Sequence, residues 1–143
     1  MISTIKDKRS INMIDDKTPK LIVLYGGPAA GKSTYAKSVA GAYVVSADEI
    51  RYRLYGSQDK FGDGEEIWKS IVYEIRSNLS RGKTVIYDAC NLKRSYRIDV
   101  LDAVKDIECW KTLLRINTPI GVCQRQHKQR GRNIPWETLK KYF

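Results

Sequence analysis

The sequence is poor in the side chains that build metal centres and disulfide bonds. Its 143 residues include one histidine, His127, and three cysteines, Cys90, Cys109 and Cys123. No two cysteines stand in a C-x-x-C pair, so the ligands of a zinc site are lacking. We therefore expect the cysteines to be reduced thiols that pack as small apolar residues.

Long hydrophobic runs are lacking as well. No apolar run approaches the ~20 residues that a membrane-spanning helix needs, and the opening stretch MISTIKDKRS has no signal-peptide core. These features argue against a membrane partner, and we expect a cytoplasmic protein. The length of 143 residues and the hydrophobic content of 42% fit one globular domain.

Acidic residues are the minority among the charged side chains. The chain has 16 Asp and Glu against 26 Lys and Arg, which gives a net charge of +10 at pH 7. A basic balance of this size favours a polyanionic partner such as nucleic acid. A solvated basic surface would give the same count, so charge alone leaves both interpretations open.

What the sequence does contain is a phosphate-binding loop pattern. The stretch Leu21–Thr34, LIVLYGGPAAGKST, fits G-x-x-x-x-G-K-[ST] and opens with an apolar run typical of a strand in a parallel sheet. Glycines let the backbone approach a ligand closely, so successive N–H groups converge on phosphate oxygens at the start of a helix. Lys32 is expected to reach the β- and γ-phosphates, and the Ser33 hydroxyl to bind magnesium.

The whole loop is therefore a predicted nucleoside triphosphate site. An ordinary glycine-rich turn between a strand and a helix is the alternative, but that interpretation leaves Lys32 and Ser33 unexplained. The residues expected to surround the phosphates are Gly26, Gly27, Pro28, Ala29, Ala30, Gly31, Lys32, Ser33 and Thr34.

A second polar segment follows the next short predicted strand, residues 42–46. Ser46 is placed to cap a helix over residues 47–55. Asp48 and Arg51 stand three residues apart, so they share a face of the first turn of that helix. The turn begins where a strand ends, which is the edge of an open parallel sheet where ligands bind.

Asp88 follows a third predicted strand, residues 84–87. An acidic residue in this position after a P-loop is a candidate Walker-B-type carboxylate, which holds magnesium directly or through water. A turn residue or a cap for the next helix would look the same in the sequence. Both interpretations of Asp88 remain open.

The C-terminal part of the chain is strongly basic. A helix is expected to begin near Pro119, and six basic residues stand between Gly121 and Phe143 against one acidic residue, Glu137. Such a run is either a solvated helix face or, with Gly131 as a hinge, an arginine-bearing lid that closes over a triphosphate.

With these segments in place, the sequence resembles the P-loop kinases of the polynucleotide 5′-hydroxyl kinase group, the kinase domain found in bacteriophage and bacterial end-healing enzymes. The similarity runs from about Leu21 to Tyr142 and rests on four blocks in the same order. These blocks are Gly26-Gly27-Pro28-Ala29-Ala30-Gly31-Lys32-Ser33-Thr34, Ser46-Ala47-Asp48-Glu49-Ile50-Arg51, Asp88-Ala89-Cys90-Asn91-Leu92 and Gln129-Arg130-Gly131-Arg132-Asn133-Ile134-Pro135.

The resemblance implies roles for individual residues. Asp48 would be the general base that accepts the proton of a 5′-hydroxyl, and Arg51 would bind the phosphate just 3′ of the acceptor nucleoside. Arg130 would be the lid arginine on the β- and γ-phosphates of ATP, and magnesium would be the metal. Cys90 stands where the family commonly has a threonine, which puts the role of that side chain in doubt.

The resemblance also implies a fold. We predict a single α/β domain over residues 20–143, with the three-layer P-loop kinase-type fold, a parallel sheet of about four strands and a C-terminal helical lid. The predicted strands cover residues 21–25, 42–46, 84–87 and 110–116. Residues 1–19 are predicted to be a polar, poorly ordered arm.

The predicted function is ATP-dependent phosphorylation of the 5′-hydroxyl end of DNA or RNA. Two alternatives remain. One is a related kinase with another hydroxyl acceptor, such as a hydroxymethylated pyrimidine in phage DNA, a nucleoside, a nucleotide or a small molecule. The other is a module that binds a nucleotide without transferring its phosphate. The sequence leaves open the choice between DNA and RNA, the phosphate donor and the oligomeric state.

Overall fold

The computed structural model describes residues 2–5, 17–58, 62–131 and 134–140. Strands and helices alternate along most of this chain. In chain order they are β1 (Ile2–Ile5), β2 (Lys20–Tyr25), α1 (Lys32–Ser38), β3 (Tyr43–Ser46), α2 (Ala47–Tyr55), α3 (Gly64–Ser80), β4 (Thr84–Asp88), α4 (Arg94–Ala103), β5 (Trp110–Arg115), α5 (Ile120–Arg130) and α6 (Trp136–Leu139).

The strands form one five-stranded sheet in the order β1-β5-β2-β4-β3. The four strands β5, β2, β4 and β3 run parallel, as the sequence predicted. Their carboxyl ends therefore meet at one edge of the sheet, which we call the carboxyl edge. The segments that follow these strands begin at that edge, and they include the predicted site residues.

β1 is a strand that the sequence analysis did not predict. Ile2 to Ile5 pair antiparallel with β5, with Ile2 opposite Leu114 and Ile5 opposite Lys111. The sequence analysis assigned these residues to a poorly ordered arm, whereas the structure pairs them with the sheet. Four residues carry too little periodicity to predict a strand, and the pairing depends on the backbone of β5. Of the rest of the predicted arm, residues 1 and 6–16 lie outside the described residues.

Alternate residues of the central strands pack on opposite faces of the sheet. On one face, Leu21 and Val23 belong to a buried cluster that includes apolar residues of α2, α3 and α4. On the other face, Leu24 and Ile86 pack against a smaller cluster with α1. Helices thus cover both faces of the sheet, which confirms the predicted three-layer arrangement.

Local sequence signals account for the helix boundaries near the site. The hydroxyl of Ser46 accepts a hydrogen bond from the Glu49 amide at 3.2 Å, which confirms the predicted cap of α2. α2 ends at Gly56, whose φ of 75° suits a glycine. α4 begins at Arg94, and Asn91 before it has a φ of 49°.

The helices are short or polar compared with membrane-spanning segments. In the described ranges, none combines the length and the apolar character needed to cross a bilayer.

Candidate active site

The phosphate-binding loop joins β2 to α1 at the carboxyl edge, and neighbouring backbone holds it tightly. The Gly26 amide donates to the Cys90 carbonyl at 3.0 Å. A Cβ atom on Gly26 would lie 2.6 Å from the carbonyl oxygen of Ile116. Only glycine fits between these two strand ends, so Gly26 serves the close packing of the loop. Gly31 has a φ of 98° and lies just before α1, in a conformation that favours glycine.

Lys32 lies inside the loop that precedes it. The side chain is buried, and Nζ donates to the carbonyl oxygens of Gly26 at 3.1 Å and Gly27 at 2.7 Å. The ammonium group is therefore held on the concave side of the loop, where N–H groups of a P-loop converge on phosphate. This position suits the predicted contact with a triphosphate.

Ser33 at the start of α1 contacts Asp88 at the end of β4, although they stand 55 residues apart in the chain. The Ser33 hydroxyl donates to Asp88 Oδ2 at 2.7 Å. Asp88 is the last residue of β4, and the N-cap of the next helix is Lys93, so the interpretation of Asp88 as a helix cap is wrong. The pair presents a hydroxyl and a carboxylate, which are oxygen ligands of the kind that magnesium prefers.

Asp88 is a buried carboxylate in a mixed electrostatic environment. Burial raises the pKa of the Asp88 carboxyl above its ordinary value, while the Ser33 hydrogen bond and the Lys32 charge oppose that rise. The carboxylate of Asp48 adds to the rise, which indicates that two negative groups face the same region. A divalent cation bound there would offset the cost of keeping Asp88 ionised. The donor set therefore fits the magnesium ion that the sequence predicts.

Asp48 and Arg51 form an ion pair in the first turn of α2. Arg51 Nη1 lies 2.7 Å from Asp48 Oδ1, which confirms that the two side chains share a face of the helix. Both are partly exposed, with 22% of the Arg51 side chain and 33% of the Asp48 side chain accessible. The pair therefore remains open to a ligand that enters from solvent.

One cavity of about 750 Å³ joins these groups. Its walls come from the phosphate-binding loop, the start of α2, the end of β4, and the helices α5 and α6. The predicted site residues on the wall are Pro28, Ala29, Ala30, Gly31, Lys32, Ser33, Thr34, Asp48, Arg51, Asp88 and Arg130. Gly26 and Gly27 are buried behind this wall, where they shape the loop.

The C-terminal helices close one side of the cavity. Arg130 is the exposed last residue of α5 and lines the cavity. Its positive charge opposes the rise in the pKa of the Asp88 carboxyl. Gly131 ends α5 with a φ of 64°. This placement favours the lid interpretation over a purely solvated helix face. Arg132 and Asn133, part of the same sequence block, lie outside the described residues.

Several residues of the site carried no signal in the sequence. Thr118 Oγ1 donates to the Ala30 carbonyl at 2.6 Å and so ties the segment before α5 to the phosphate-binding loop. The buried His127 ring bonds through Nε2 to the Ile134 carbonyl at 2.7 Å, which joins α5 to the segment before α6. Gln126 and Gln129 also line the cavity. Polar residues in a basic helix look alike until the tertiary contacts are known.

The loop after β4 supports the phosphate-binding loop from the side. Asn91 is buried and donates through Nδ2 to the Leu24 carbonyl at 2.9 Å. Cys90 lies half-buried on the cavity wall, and its carbonyl accepts from Gly26. The backbone of Cys90 therefore supports the loop irrespective of whether its side chain is a thiol or a hydroxyl.

Comparison with known proteins agrees with this geometry. A family model described as an AAA domain, AAA_33, matches residues 21–142. The L-seryl-tRNA(Sec) kinase of Methanococcus maripaludis is 26% identical over 132 residues, which covers 86% of this chain and 51% of that protein. This chain thus spans about half the length of the curated relative.

Solved structures show the same fold. A chain of the Pnkp1/Rnl/Hen1 RNA repair complex matches with a TM-score of 0.78 at 22% identity, over 93% of this chain and 45% of that one. The APS kinase CysC of Mycobacterium tuberculosis, in complex with AMPPNP and APS, matches with a TM-score of 0.62 at 18% identity, over 76% of this chain and 68% of that one.

The chain belongs to the AAA_33 family. Its named relative is a kinase, and its fold is that of P-loop kinases. The predicted P-loop kinase-type fold is therefore confirmed.

Proposed function

We propose that this protein is an ATP-dependent kinase that transfers the γ-phosphate to the 5′-hydroxyl end of a DNA or RNA strand. One observation carries the proposal. A single cavity brings the phosphate-binding loop and the Ser33 and Asp88 pair together with the Asp48 and Arg51 pair. The first two groups suit a triphosphate and its metal, and the third suits an acceptor with a hydroxyl and a neighbouring phosphate.

The donor half of the site would hold ATP and magnesium. Backbone N–H groups of the loop and the Lys32 ammonium would bind the phosphates, since Lys32 already lies inside the loop. Ser33 and Asp88 would hold the magnesium ion directly or through water. When bound, the ion would neutralise part of the negative charge on the phosphates.

The acceptor half would use both members of the ion pair at the start of α2. Asp48 would accept the proton of the attacking hydroxyl as it bonds to phosphorus. Arg51 would bind the phosphate that follows the acceptor nucleoside, because a guanidinium pairs well with phosphate oxygens. An incoming phosphate would draw Arg51 away from Asp48, which would free the carboxylate for the hydroxyl.

Arg130 would complete the site from the lid. Phosphoryl transfer depends mainly on alignment and on positive charge around the transferring group. Arg130 stands on the cavity wall at the end of α5, from where its flexible side chain would reach the β- and γ-phosphates. Lid closure would also exclude water, which would otherwise compete with the acceptor hydroxyl.

The names of the relatives support an acceptor carried on nucleic acid. One structural relative comes from an RNA repair complex, and the curated relative is a kinase for a seryl-tRNA. The net charge of +10 agrees with a polyanionic acceptor. The 26% identity with the seryl-tRNA kinase favours a second candidate function, in which the hydroxyl belongs to a group attached to RNA and not to a strand end.

Transfer of label from γ-labelled ATP, with magnesium, tests the proposal. The acceptors are short 5′-hydroxyl DNA and RNA strands, with the same strands already 5′-phosphorylated as the matched control. We expect label on the 5′-hydroxyl strands and none on the phosphorylated ones. Label on both would indicate another hydroxyl of the strand. No label on any strand, with ATP binding intact, would overturn the 5′-kinase assignment, and charged tRNA and small hydroxyl compounds would then be tested as acceptors.

A further inference from the structure

We propose that the acceptor strand continues beyond Arg51 over an exposed basic and aromatic surface at the start of α4. This surface, which we call the α4 patch, consists of Lys93, Arg94 and Tyr96. Its occupant is single-stranded nucleic acid. The inference rests on the proposed function, since that function supplies a strand whose 5′ end lies in the cavity.

The α4 patch combines positive charge with an exposed ring. Lys93 and Arg94 are exposed, and half of the Tyr96 surface is accessible, at 50%. Lys93 Nζ lies 5.4 Å from the centre of the Tyr96 ring. No acidic residue stands in the chain between Asp88 and Asp99, so the cations have no acidic neighbour in sequence. Two cations beside an exposed ring therefore attract a polyanion.

Arg97 fixes the α4 patch in place. Its Nη1 donates to the carbonyl oxygens of Asn91 and Leu92, each at 2.8 Å. Its guanidinium carbon lies 4.5 Å from the centre of the Tyr25 ring, at the end of β2. The segment that leads into α4 is thus held against the carboxyl edge of the sheet. A surface fixed in this way binds a strand without first paying the entropy of ordering a loop.

The loop between β4 and α4 connects the cavity wall to this surface along the chain. Cys90 lies on the cavity wall and stands three residues before Lys93. β3 and β4 are parallel neighbours, so the starts of α2 and α4 lie at the same edge. Arg51 and Cys90 line the same cavity, so the proposed acceptor pair and the loop into α4 share its wall.

The chemistry of the α4 patch suits an unpaired strand. Lysine and arginine pair with backbone phosphates, and an exposed tyrosine offers a face on which a base can stack. Stacking requires that the base be free of a complementary strand, so the patch favours single-stranded over double-stranded acceptors. An acceptor of one nucleotide would occupy only the acceptor half of the cavity and would not reach the patch.

The outer face of α3 provides a matched control. Lys69 and Tyr73 are exposed there, and Arg81 is exposed at the end of the helix. These three residues have the same types as those of the α4 patch and do not line the cavity. Lys69 pairs with Glu65 at 3.3 Å, so this face carries acidic charge beside its cation. Loss of these residues removes the same net charge and the same kind of ring.

The experiment compares the full-length wild type with two triple variants. The patch variant is Lys93→Ala, Arg94→Ala and Tyr96→Ala, and the control variant is Lys69→Ala, Tyr73→Ala and Arg81→Ala. Fluorescence anisotropy measures the Kd of a labelled 5′-hydroxyl strand of about twelve nucleotides over a series of salt concentrations. Transfer assays measure KM for the same strand and for a nucleoside 3′-monophosphate, and ATP affinity checks that each variant is folded.

We expect the patch variant to bind the strand at least about tenfold more weakly than the wild type at low salt. The slope of log K against the logarithm of the salt concentration should become shallower by about 1.4, since two phosphate contacts are lost. KM for the nucleoside 3′-monophosphate should not change, and the control variant should match the wild type throughout. Unchanged strand binding by the patch variant, or equal weakening in both variants, would overturn the inference.

The same measurements separate this inference from the proposed function. A wild type that binds strands through the α4 patch but transfers no phosphate to a 5′-hydroxyl would overturn the kinase assignment and leave the surface in place. If the wild type phosphorylates 5′ ends and the patch variant binds and phosphorylates long strands equally well, the kinase assignment stands. The α4 patch is then overturned as a strand-binding surface. A wild type that binds no strand at any salt concentration overturns both.

Discussion

Arg51 Nη1 lies 2.7 Å from Asp48 Oδ1 within the first turn of α2. The two residues that we assign to the acceptor are thus bonded to each other. This contact orients the carboxylate, and a guanidinium can also pair with phosphate oxygens. In the proposed function, the phosphate that follows the acceptor hydroxyl would compete with Asp48 for Arg51.

If Asp48 is the general base, Asp48→Asn should lower turnover by ~10² or more, because an amide cannot accept the proton. ATP affinity should stay nearly unchanged, since the phosphate-binding loop is intact. Single-turnover transfer and ATP titration measure the two effects. Glu49→Gln is the matched control, because Glu49 is the next residue and lines the same cavity. An equal loss of ATP binding in Asp48→Asn would instead make Asp48 a metal or structural residue.

If Arg51 binds the acceptor phosphate, Arg51→Ala should raise KM for a nucleoside 3′-monophosphate and leave KM for the plain nucleoside nearly unchanged. The wild type should prefer the phosphorylated acceptor, and the variant should lose that preference. Arg53→Ala is the control, because Arg53 lies on the same helix and pairs with Glu74 at 3.0 Å. A wild type that does not distinguish the two acceptors would remove this role from Arg51.

If Arg130 acts on the transferring phosphate, Arg130→Ala should lower turnover by about 10² and change ATP affinity far less. The reason is that a lid arginine would bind the transferring phosphate more strongly in the transition state than in bound ATP. Arg125→Ala removes an exposed arginine from the same helix and should leave turnover unchanged. Equal turnover in Arg130→Ala and the wild type would leave α5 as a basic surface helix.

If Ser33 and Asp88 hold magnesium, Asp88→Asn should raise the magnesium concentration needed for half-maximal transfer by at least about tenfold. In the absence of metal the same variant should unfold at or above the wild-type temperature, because burial disfavours the charged carboxylate. Magnesium titrations with nucleotide present and thermal unfolding without metal measure the two effects. An unchanged magnesium requirement would leave Asp88 as a hydrogen-bond partner of Ser33 alone.

Asp106 gives a pH-dependent prediction that is independent of the site. Arg76 donates to both carboxylate oxygens at 2.7 and 2.9 Å, and these bonds lower the pKa of Asp106 to about 2. The folded-state pKa is depressed, so the stabilisation is present above the unfolded pKa of about 3.9 and is lost as the pH falls towards 2.

Urea unfolding over a pH series measures this effect. The difference in unfolding free energy between the wild type and Asp106→Asn should be constant from about pH 7 to pH 5 and should shrink between about pH 4 and pH 2. In an Arg76→Gln background the pH dependence should become much smaller, since the Arg76 hydrogen bonds are the largest cause of the lowered pKa. A difference that persists at pH 2 would show that the contact acts through packing and not through charge.

Much of the site was predictable because its motifs are local. The phosphate-binding loop, the Ser46 cap and the spacing of Asp48 and Arg51 each lie within a few residues of chain, and the structure has them as predicted. β1 was missed because its partner, β5, lies about a hundred residues further along the chain. The choice between a cap and a site residue for Asp88 also depended on a distant group, the Ser33 hydroxyl.

The sequence by itself determined the local elements: the four parallel strands, the glycine-rich turn, the Ser46 cap, and the pairing of Asp48 with Arg51. Apolar periodicity, glycine conformations and hydrogen bonds between near neighbours act over a few residues, so the order of residues is enough. The tertiary structure alone decided which of these elements meet. Strand order brings Ser33 to Asp88, the segment before α5 carries Thr118 to Ala30, and the loop after β4 places Cys90 on the cavity wall. Contacts of this kind depend on packing across the sheet, which spacing along one chain does not encode.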